Sequence, residues 1–271
     1  MLDSSGGVAA VGLSRLAWRH RRVLAAVTAV ELAKRHAGSA LGRLWLLLHP
    51  LLLLSIYLFV YAVVFRMQLP GYTGANYAIF VFCGLVPFIG LSEALSAGTP
   101  CLKQNMHLIK NVMLPIELVP LRSVLSSLAT QMVGLAILLA LLAPAGHASW
   151  KLVLLPLVIM LEVLMLIGIV LVLACVAVAL TDVGYFVNLL VMLLMFVSPI
   201  GFTRDMVPAP FGILVDANPV TYLVEAYRGV LLAGYPLDLG ALAVYAAMSL
   251  ATFTAGAAFF ARFKGALVDY E

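Results

Sequence analysis

The chain has 271 residues, of which 64% are hydrophobic and only 10% are charged, and its mean hydropathy is +1.12. Because a soluble domain carries about 25% charged residues, this composition excludes a soluble fold. The formal net charge of +4 reflects basic residues collected on one side of a membrane, and we expect no nucleic-acid partner.

Long uncharged runs predict helices that cross a membrane, since about 20 residues of helix span the hydrocarbon core. The runs lack the polar and apolar alternation of a barrel strand and are longer than the roughly 10 residues that such a strand uses. We therefore predict an all-α integral membrane protein with six transmembrane helices. They lie in the runs 44–65, 67–92, 123–150, 152–181, 183–203 and 239–261.

The uneven distribution of lysine and arginine predicts the orientation of these helices. Seven lie before the first run, three between the second and third runs, and two after the last run. The opposite side has Arg66, Lys151, Arg204 and Arg228. Because cytoplasmic loops are enriched in basic residues, both termini and the 96–122 connection are predicted to be cytoplasmic.

The first 43 residues are predicted to form a cytoplasmic segment ahead of a single transmembrane domain, residues 44–271. Residues 1–12 are small and polar and are expected to be mobile. From residue 13 to 41, apolar and basic residues interleave as in an amphipathic helix that lies in the membrane interface. The apolar residues expected to face lipid are Leu24, Val27, Val30 and Leu32.

The segment 203–234 combines helix breakers with apolar residues that are unusual in a solvent loop. Two prolines and a glycine between residues 208 and 212 interrupt any continuous helix. Asn218 then suits an N-cap, Pro219 suits the first helical position, and Gly234 suits a stop. Glu225 and Arg228 are spaced for an i,i+3 pair. We predict two short helices that re-enter the outer leaflet and are shielded by the other helices. The residues expected to be buried are Phe211, Leu223, Val224, Val230, Leu231 and Leu232.

Five motifs along the chain carry a family resemblance. They are GSALGRLWLLLHPLL at 38–52, after ELAKRH at 31–36, then FCGLVPF at 82–88, LIKNVMLPIELVPL at 108–121, SPIGF at 198–202 and NPVTYLVEAYRGVLLAG at 218–234. In this order, and with six matching runs, they resemble the permease subunits of type-2 ABC exporters. The likeness covers nearly the whole chain and is to the polysaccharide branch, which exports O-antigen, capsule or teichoic acid.

The resemblance implies a multi-pass permease of the inner (plasma) membrane that works as a homodimer with two cytoplasmic ATP-binding subunits. Such a complex moves a polyprenyl-pyrophosphate-linked polysaccharide out of the cytoplasm. The sequence has no G-x-x-x-x-G-K-[ST] phosphate loop, so ATP and Mg are expected on the partner subunit and no cofactor on this chain. The alternative is a type-2 exporter of teichoic acid, a drug or a small lipid.

The segment 108–115 resembles the coupling helix that rests in a groove of the ATP-binding subunit. An ordinary basic cytoplasmic loop is the alternative. Apolar residues exposed to water favour a covering partner. The residues assigned to this contact are Leu108, Ile109, Lys110, Asn111, Val112, Met113 and Pro115.

Tyr57, Tyr61 and Phe65 fall on one face of the first run and are candidates for the substrate path. Sugars bind aromatic rings and hydroxyl groups, but plain helix packing explains these residues equally well. A second candidate group, at the entry of a pyrophosphate headgroup, is Lys34, Arg35 and Arg43, for which contact with anionic lipid is the alternative. The residues assigned to a periplasmic gate are Phe211, Asn218, Pro219, Tyr222, Glu225 and Arg228.

Glu162 lies inside the fourth run, where a charge costs about 3 kcal/mol or more. It has either a functional role or the role of a protonated, hydrogen-bonded packing residue, and the resemblance assigns it neither. An intramembrane enzyme would need a motif such as HExxH, and a proton-coupled carrier would need several ionisable residues within the runs. The runs contain no such motif, and Glu162 is the only residue that would serve such a carrier. We therefore expect neither catalytic nor metal-binding residues.

Overall fold

The computed structural model describes residues 3–35, 38–67, 69, 72, 74–106, 115–144, 146 and 149–269. Within these residues the regular elements are helices, and one isolated antiparallel bridge joins Leu69 to Tyr72. The all-α prediction is confirmed. Five helical stretches of the described chain are long and apolar enough to cross a membrane, namely Trp45–Val64, Ala75–Gly98, Leu118–Leu142, Trp150–Ala179 and Leu239–Gly265.

The α-helices are numbered in chain order. They are α1 (Asp3–Arg19), α2 (Arg21–Arg35), α3 (Trp45–Leu58), α4 (Ala75–Gly98), α5 (Cys101–Gln104), α6 (Leu118–Leu142), α7 (Leu155–Ala179), α8 (Val183–Val197), α9 (Gly212–Asp216), α10 (Pro219–Leu231) and α11 (Leu239–Asp269). A π-helix, Phe59–Val64, extends α3, and a 3-10 helix, Trp150–Leu154, leads into α7.

The fifth crossing is where the structure departs most from the sequence-based expectation. The run 183–203 was expected to cross the membrane, but α8 ends at Val197 after 15 residues. These residues rise about 22 Å, which is less than the roughly 30 Å of the hydrocarbon core. Ser198 is extended, and the ring of Pro199 after it disfavours a helical conformation at Ser198. Helix length therefore supports five crossings and leaves α8 short of a sixth.

Helix α4 forms the centre of the bundle. Its residues Phe80, Val81 and Phe82 are fully buried, and α3, α6, α7, α8 and α10 surround it. Helices α7 and α11 also approach very closely, since a Cβ atom on Gly168 or Gly256 would collide with the backbone of the opposite helix. Small residues permit this packing of membrane helices.

The described part of the N-terminal segment packs on the bundle, whereas residues 1–12 were expected to be mobile. Helix α1 runs along α11, where Gly6 lies against Thr254 and Ala10 is buried. Small side chains allow this close approach. Leu24 of α2 is also buried rather than facing lipid, whereas Val30 is exposed as expected.

Candidate functional site

The start of α10 has the cap that the sequence predicts. Asn218 accepts a hydrogen bond from the backbone N–H of Val220 at 2.9 Å, and Pro219 occupies the first helical position. Asn218 also donates from Nδ2 to Ser198 Oγ at 2.9 Å. One side chain therefore caps α10 and ties it to the turn that follows α8.

The burial of α10 is confirmed as well. Its apolar residues pack against α4, α7 and α11. The helix ends at Leu231 rather than at Gly234, and the chain becomes extended at Leu232. The residues expected to be buried, all of which are fully enclosed, are Leu223, Val224, Val230, Leu231 and Leu232.

Helix α9 behaves differently from α10, and the expected burial of Phe211 is wrong in the single chain. Phe211, just before this five-residue helix, is 59% exposed, and Ile213 and Leu214 are exposed too. Such a short helix buries only one narrow face, which here consists of Gly212 and Val215.

An ion pair holds α9 to the preceding 3-10 turn. Arg204 donates from Nε and Nη2 to the two carboxylate oxygens of Asp216, at 2.5 and 2.8 Å. These hydrogen bonds lower the pKa of Asp216 below its ordinary value. Tyr222 of α10, which the sequence assigned to the gate, donates to the carbonyl of Asp216 at 3.0 Å.

Arg228 is fully buried, and its contacts join α10 to two neighbours. Its Nη2 donates to the carbonyl of Ile200 at 2.5 Å, and its guanidinium carbon lies 3.6 Å from the centre of the Phe80 ring. The predicted pair with Glu225 forms at 3.4 Å. Glu225 accepts a shorter hydrogen bond, 2.6 Å, from the hydroxyl of Tyr235.

Lys151 stabilises the end of α10, a role that was not predicted from sequence. Its ammonium group donates to the carbonyls of Leu232, Ala233 and Tyr235 at 2.9, 3.1 and 2.7 Å. A cation at the C-terminal end of a helix satisfies free carbonyls and favours the helix dipole. A single lysine between two apolar runs forms no sequence pattern that would indicate this contact with the end of α10.

The turn Ser198–Phe202 receives hydrogen bonds from separate parts of the chain. Besides those from Asn218 and Arg228, Tyr77 of α4 donates its hydroxyl to the carbonyl of Gly201 at 2.9 Å. A Cβ atom on Gly201 would lie 2.8 Å from the ring of Tyr61. The turn is therefore the place where α3, α4 and α10 meet.

The three aromatic residues of the first run do come together. The rings of Tyr57 and Tyr61 stack at 5.7 Å, and Phe65 meets Tyr61 edge-on at 5.8 Å. The two tyrosines are buried in the single chain, whereas Phe65 is exposed. This burial agrees with the packing alternative for the tyrosines and leaves Phe65 accessible.

Glu162 lies at the centre of a polar cluster that the sequence did not reveal. It is fully buried on α7, where its Oε2 accepts from Tyr227 Oη of α10 at 2.5 Å and from Gln131 Nε2 of α6 at 2.9 Å. Gln131 Nε2 is also 3.0 Å from the Tyr227 hydroxyl. The three residues are far apart in sequence, so no local spacing could have connected them.

Two predicted groups fall partly outside what the structure describes. Residues 107–114, which include Leu108, Ile109, Lys110, Asn111, Val112 and Met113, lie outside the described residues. Pro115 is described and accepts a backbone hydrogen bond from Leu118 at 2.9 Å, just before α6. Lys34 and Arg35 end α2 and Arg43 lies in a 3-10 turn, but their side chains are not among those described.

A family model and three known proteins match this chain, and all of them describe membrane transporters. The family model described as ABC-2 type transporter matches residues 22–232, a range that includes all of α10. The O-antigen export system permease protein RfbA of Myxococcus xanthus is 26% identical over 253 residues, which cover 92% of this chain and 95% of that protein. Two proteins of the same name from Klebsiella pneumoniae are each 26% identical over 215 residues, covering 78% of this chain and 81% of theirs.

Proposed function

Because the chain belongs to the ABC-2 type transporter family, we propose that it is the membrane permease subunit of an ATP-driven O-antigen exporter. The observation that carries this proposal is the near full-length similarity to a permease named for O-antigen export. The substrate is then the polysaccharide linked to a polyprenyl pyrophosphate. ATP is hydrolysed by a separate ATP-binding subunit, as the family implies.

The working unit is a homodimer of this chain with two ATP-binding subunits, in the inner membrane. Apolar residues exposed on α8, including Leu189, Leu193 and Phe196, support burial against lipid or a second copy. With both termini in the cytoplasm, the number of crossings must be even. Helix α8 and the turn after it therefore make the remaining crossing, and the segment 203–234 begins and ends on the outer side.

The segment 203–234 acts as a gate at the periplasmic end of the path, and we name α10 the gate helix. Two observations support this role. Helix α8 has only 15 residues, which is too short to cross the hydrocarbon core, so we infer that the turn 198–202 lies within the membrane. Polar backbone at that depth must be shielded from lipid, and the gate helix is enclosed by α4, α7 and α11.

The polysaccharide passes beside the aromatic stack of Tyr57, Tyr61 and Phe65. This stack extends along α3 to Gly201, in the turn that anchors the gate helix. Aromatic faces suit the apolar faces of sugar rings, and tyrosine hydroxyls suit sugar hydroxyls. Movement of the gate helix and its turn would release the packing that covers the two tyrosines.

At the cytoplasmic side, the basic residues Lys34, Arg35 and Arg43 receive the pyrophosphate headgroup. The segment 108–115 couples the permease to ATP hydrolysis. Two features support this assignment, namely the positive charge at the headgroup's entry and the apolar residues in a hydrophilic connection.

Complementation tests the proposal directly. The chain and its ATP-binding subunit are expressed in a strain that makes O-antigen but lacks its own export permease. We expect O-antigen to return to the cell surface. In proteoliposomes, lipid-linked O-antigen should stimulate ATP hydrolysis by the purified complex. Stimulation by teichoic acid precursors, drugs or small lipids, with none by O-antigen, would favour the alternative substrate class.

A further inference from the structure

The cluster around Glu162 joins the gate helix to the middle of two long helices. Tyr227 supplies the contact from α10, while Glu162 and Gln131 supply those from α7 and α6. All three side chains are buried. The other side-chain hydrogen bonds of the gate helix lead to the turn after α8, to Val215 and Asp216, and to Tyr235, so this cluster is what connects it to α6 and α7 in the described chain.

The surroundings of Glu162 favour a neutral carboxylic acid over a carboxylate. No lysine or arginine pairs with it in the part of the chain that the structure describes, where Lys151 donates to carbonyls and Arg228 pairs with Glu225. The groups that face it are Gln131 from α6, Tyr227 from α10 and Tyr245 from α11. A buried charge without a counter-charge is costly, and in such sites an acid generally takes up a proton instead.

The hydrogen-bond pattern fits the same conclusion. Both donors, Tyr227 Oη and Gln131 Nε2, bind Oε2, whereas Oε1 has no partner among the described residues. A proton on Oε1 removes the charge and leaves Oε2 as a carbonyl oxygen that still accepts both hydrogen bonds. Protonation therefore costs none of the observed contacts.

We infer that Glu162 is a positioning residue that, as a neutral acid, latches the gate helix in its closed position through the hydroxyl of Tyr227. The inference rests on the proposed gate function of α10. Opening the gate then requires the Tyr227–Glu162 hydrogen bond to break. A glutamine at position 162 supplies a similar neutral acceptor, whereas an apolar side chain of similar length does not.

The test measures how quickly a buried gate-helix thiol becomes accessible. In a chain whose three native cysteines are replaced by alanine, Leu231→Cys reports on the gate helix, because Leu231 is fully buried. The assembled complex with its ATP-binding subunit is treated in proteoliposomes with a membrane-impermeant maleimide. Asp238→Cys is the positive control for labelling, since Asp238 is exposed.

Three latch variants are compared in the Leu231→Cys background. We expect Glu162→Gln to label as slowly as the parent, and Glu162→Met and Tyr227→Phe to label at least ten times faster. Glu117→Gln is the matched control, because this carboxylate pairs with Lys264 away from the gate helix, and its labelling rate should not change. Tyr227→Phe loses a single oxygen, so it tests the latch even if Glu162→Met does not assemble.

Each outcome has a defined meaning. Slow labelling of both Glu162→Met and Tyr227→Phe would overturn the latch. Fast labelling of Glu162→Gln would show that the charge is needed and would overturn the neutral acid. The proposed function is judged separately, by O-antigen complementation with the unmodified chain. If the latch exists but the chain does not export O-antigen, only complementation fails. If the chain exports O-antigen without a latch, only the labelling test fails.

Discussion

The guanidinium of Arg228 lies 3.6 Å from the centre of the Phe80 ring, which places a fully buried cation from α10 over the central helix α4. The same side chain donates to the carbonyl of Ile200. Arg228 is thus shared between the core of the bundle and the turn after α8.

We predict that Arg228→Ala destabilises the protein by about 3 kcal/mol, because it leaves the Ile200 carbonyl without its buried donor and removes the cation that pairs with Glu225. Arg228→Lys should also be destabilising, since an ammonium group lacks the planar fork that reaches both acceptors. Thermal unfolding in detergent measures both effects. Arg204→Lys, at an exposed site, is the control and should change the midpoint little. Equal midpoints for all three variants would contradict the buried role of Arg228.

Close packing of α7 on α11 makes a second prediction. Gly256→Ala should destabilise the protein by roughly 1–3 kcal/mol, because the new methyl group would overlap the backbone of Gly168. Gly265→Ala on the same helix is the matched control, since nothing lies within 4 Å of its Cβ position. Unfolding midpoints in detergent compare the two. If Gly256→Ala were as stable as Gly265→Ala, the helices would be further apart than the structure shows.

The local features of α10 were predictable from sequence, and the long-range ones were not. Asn218 and Pro219 act within a few residues of themselves, so their spacing alone indicates the cap. Glu162 was recognised as unusual, yet its partners Gln131 and Tyr227 are 31 and 65 residues away. The hydrophobicity pattern of a sequence does not indicate which polar residues of different helices contact each other.

Apolar sequence also led to wrong predictions of helix length and of side-chain burial. Residues 183–203 carry no charge, but Pro199 and the extended Ser198 stop α8 early. Phe211 was expected to be buried because it is apolar, whereas its short helix leaves it exposed. In a membrane, an apolar side chain can face lipid, so apolarity alone does not predict burial within the protein.

The ion pair of Arg204 with Asp216 predicts a pH dependence. The pKa of Asp216 is lowered, so the pair stabilises the fold above the ordinary aspartate pKa of about 3.9 and is lost as pH falls through the folded-state value. NMR titration with labelled aspartate should place its midpoint below about 3.9. Arg204→Gln should raise this midpoint.

The segment 108–115 predicts a contact with the ATP-binding subunit. Ile109→Asp with Val112→Asp should abolish co-purification of that subunit, because two charges would be buried without partners in an apolar groove. Lys103→Gln is the control, since this exposed residue bonds to Thr181 within the chain. Normal co-purification and normal coupling of ATP hydrolysis in the double variant would remove the segment from the interface.

The packing of Gly201 against Tyr61 gives a prediction that links the proposed substrate path to the proposed gate. Gly201→Ala should lower O-antigen export several-fold, because its Cβ atom would lie 2.8 Å from the tyrosine ring and displace the turn that holds α10. Gly184→Ala in α8 is the matched control, because nothing lies within 4 Å of its Cβ position. It should export normally, since alanine is favoured over glycine in a helix.

A second substitution separates a displaced turn from a blocked path. Tyr61→Leu combined with Gly201→Ala removes the ring that the new methyl group would strike, so the combination should restore the closed gate of the parent. Maleimide labelling of Leu231→Cys measures that closure, and surface O-antigen measures export. If Tyr61 contacts sugar, closure returns in the double variant while export stays low. If closure and export both recover, Tyr61 is a packing residue. If neither closure nor export recovers, Gly201 is not held against Tyr61.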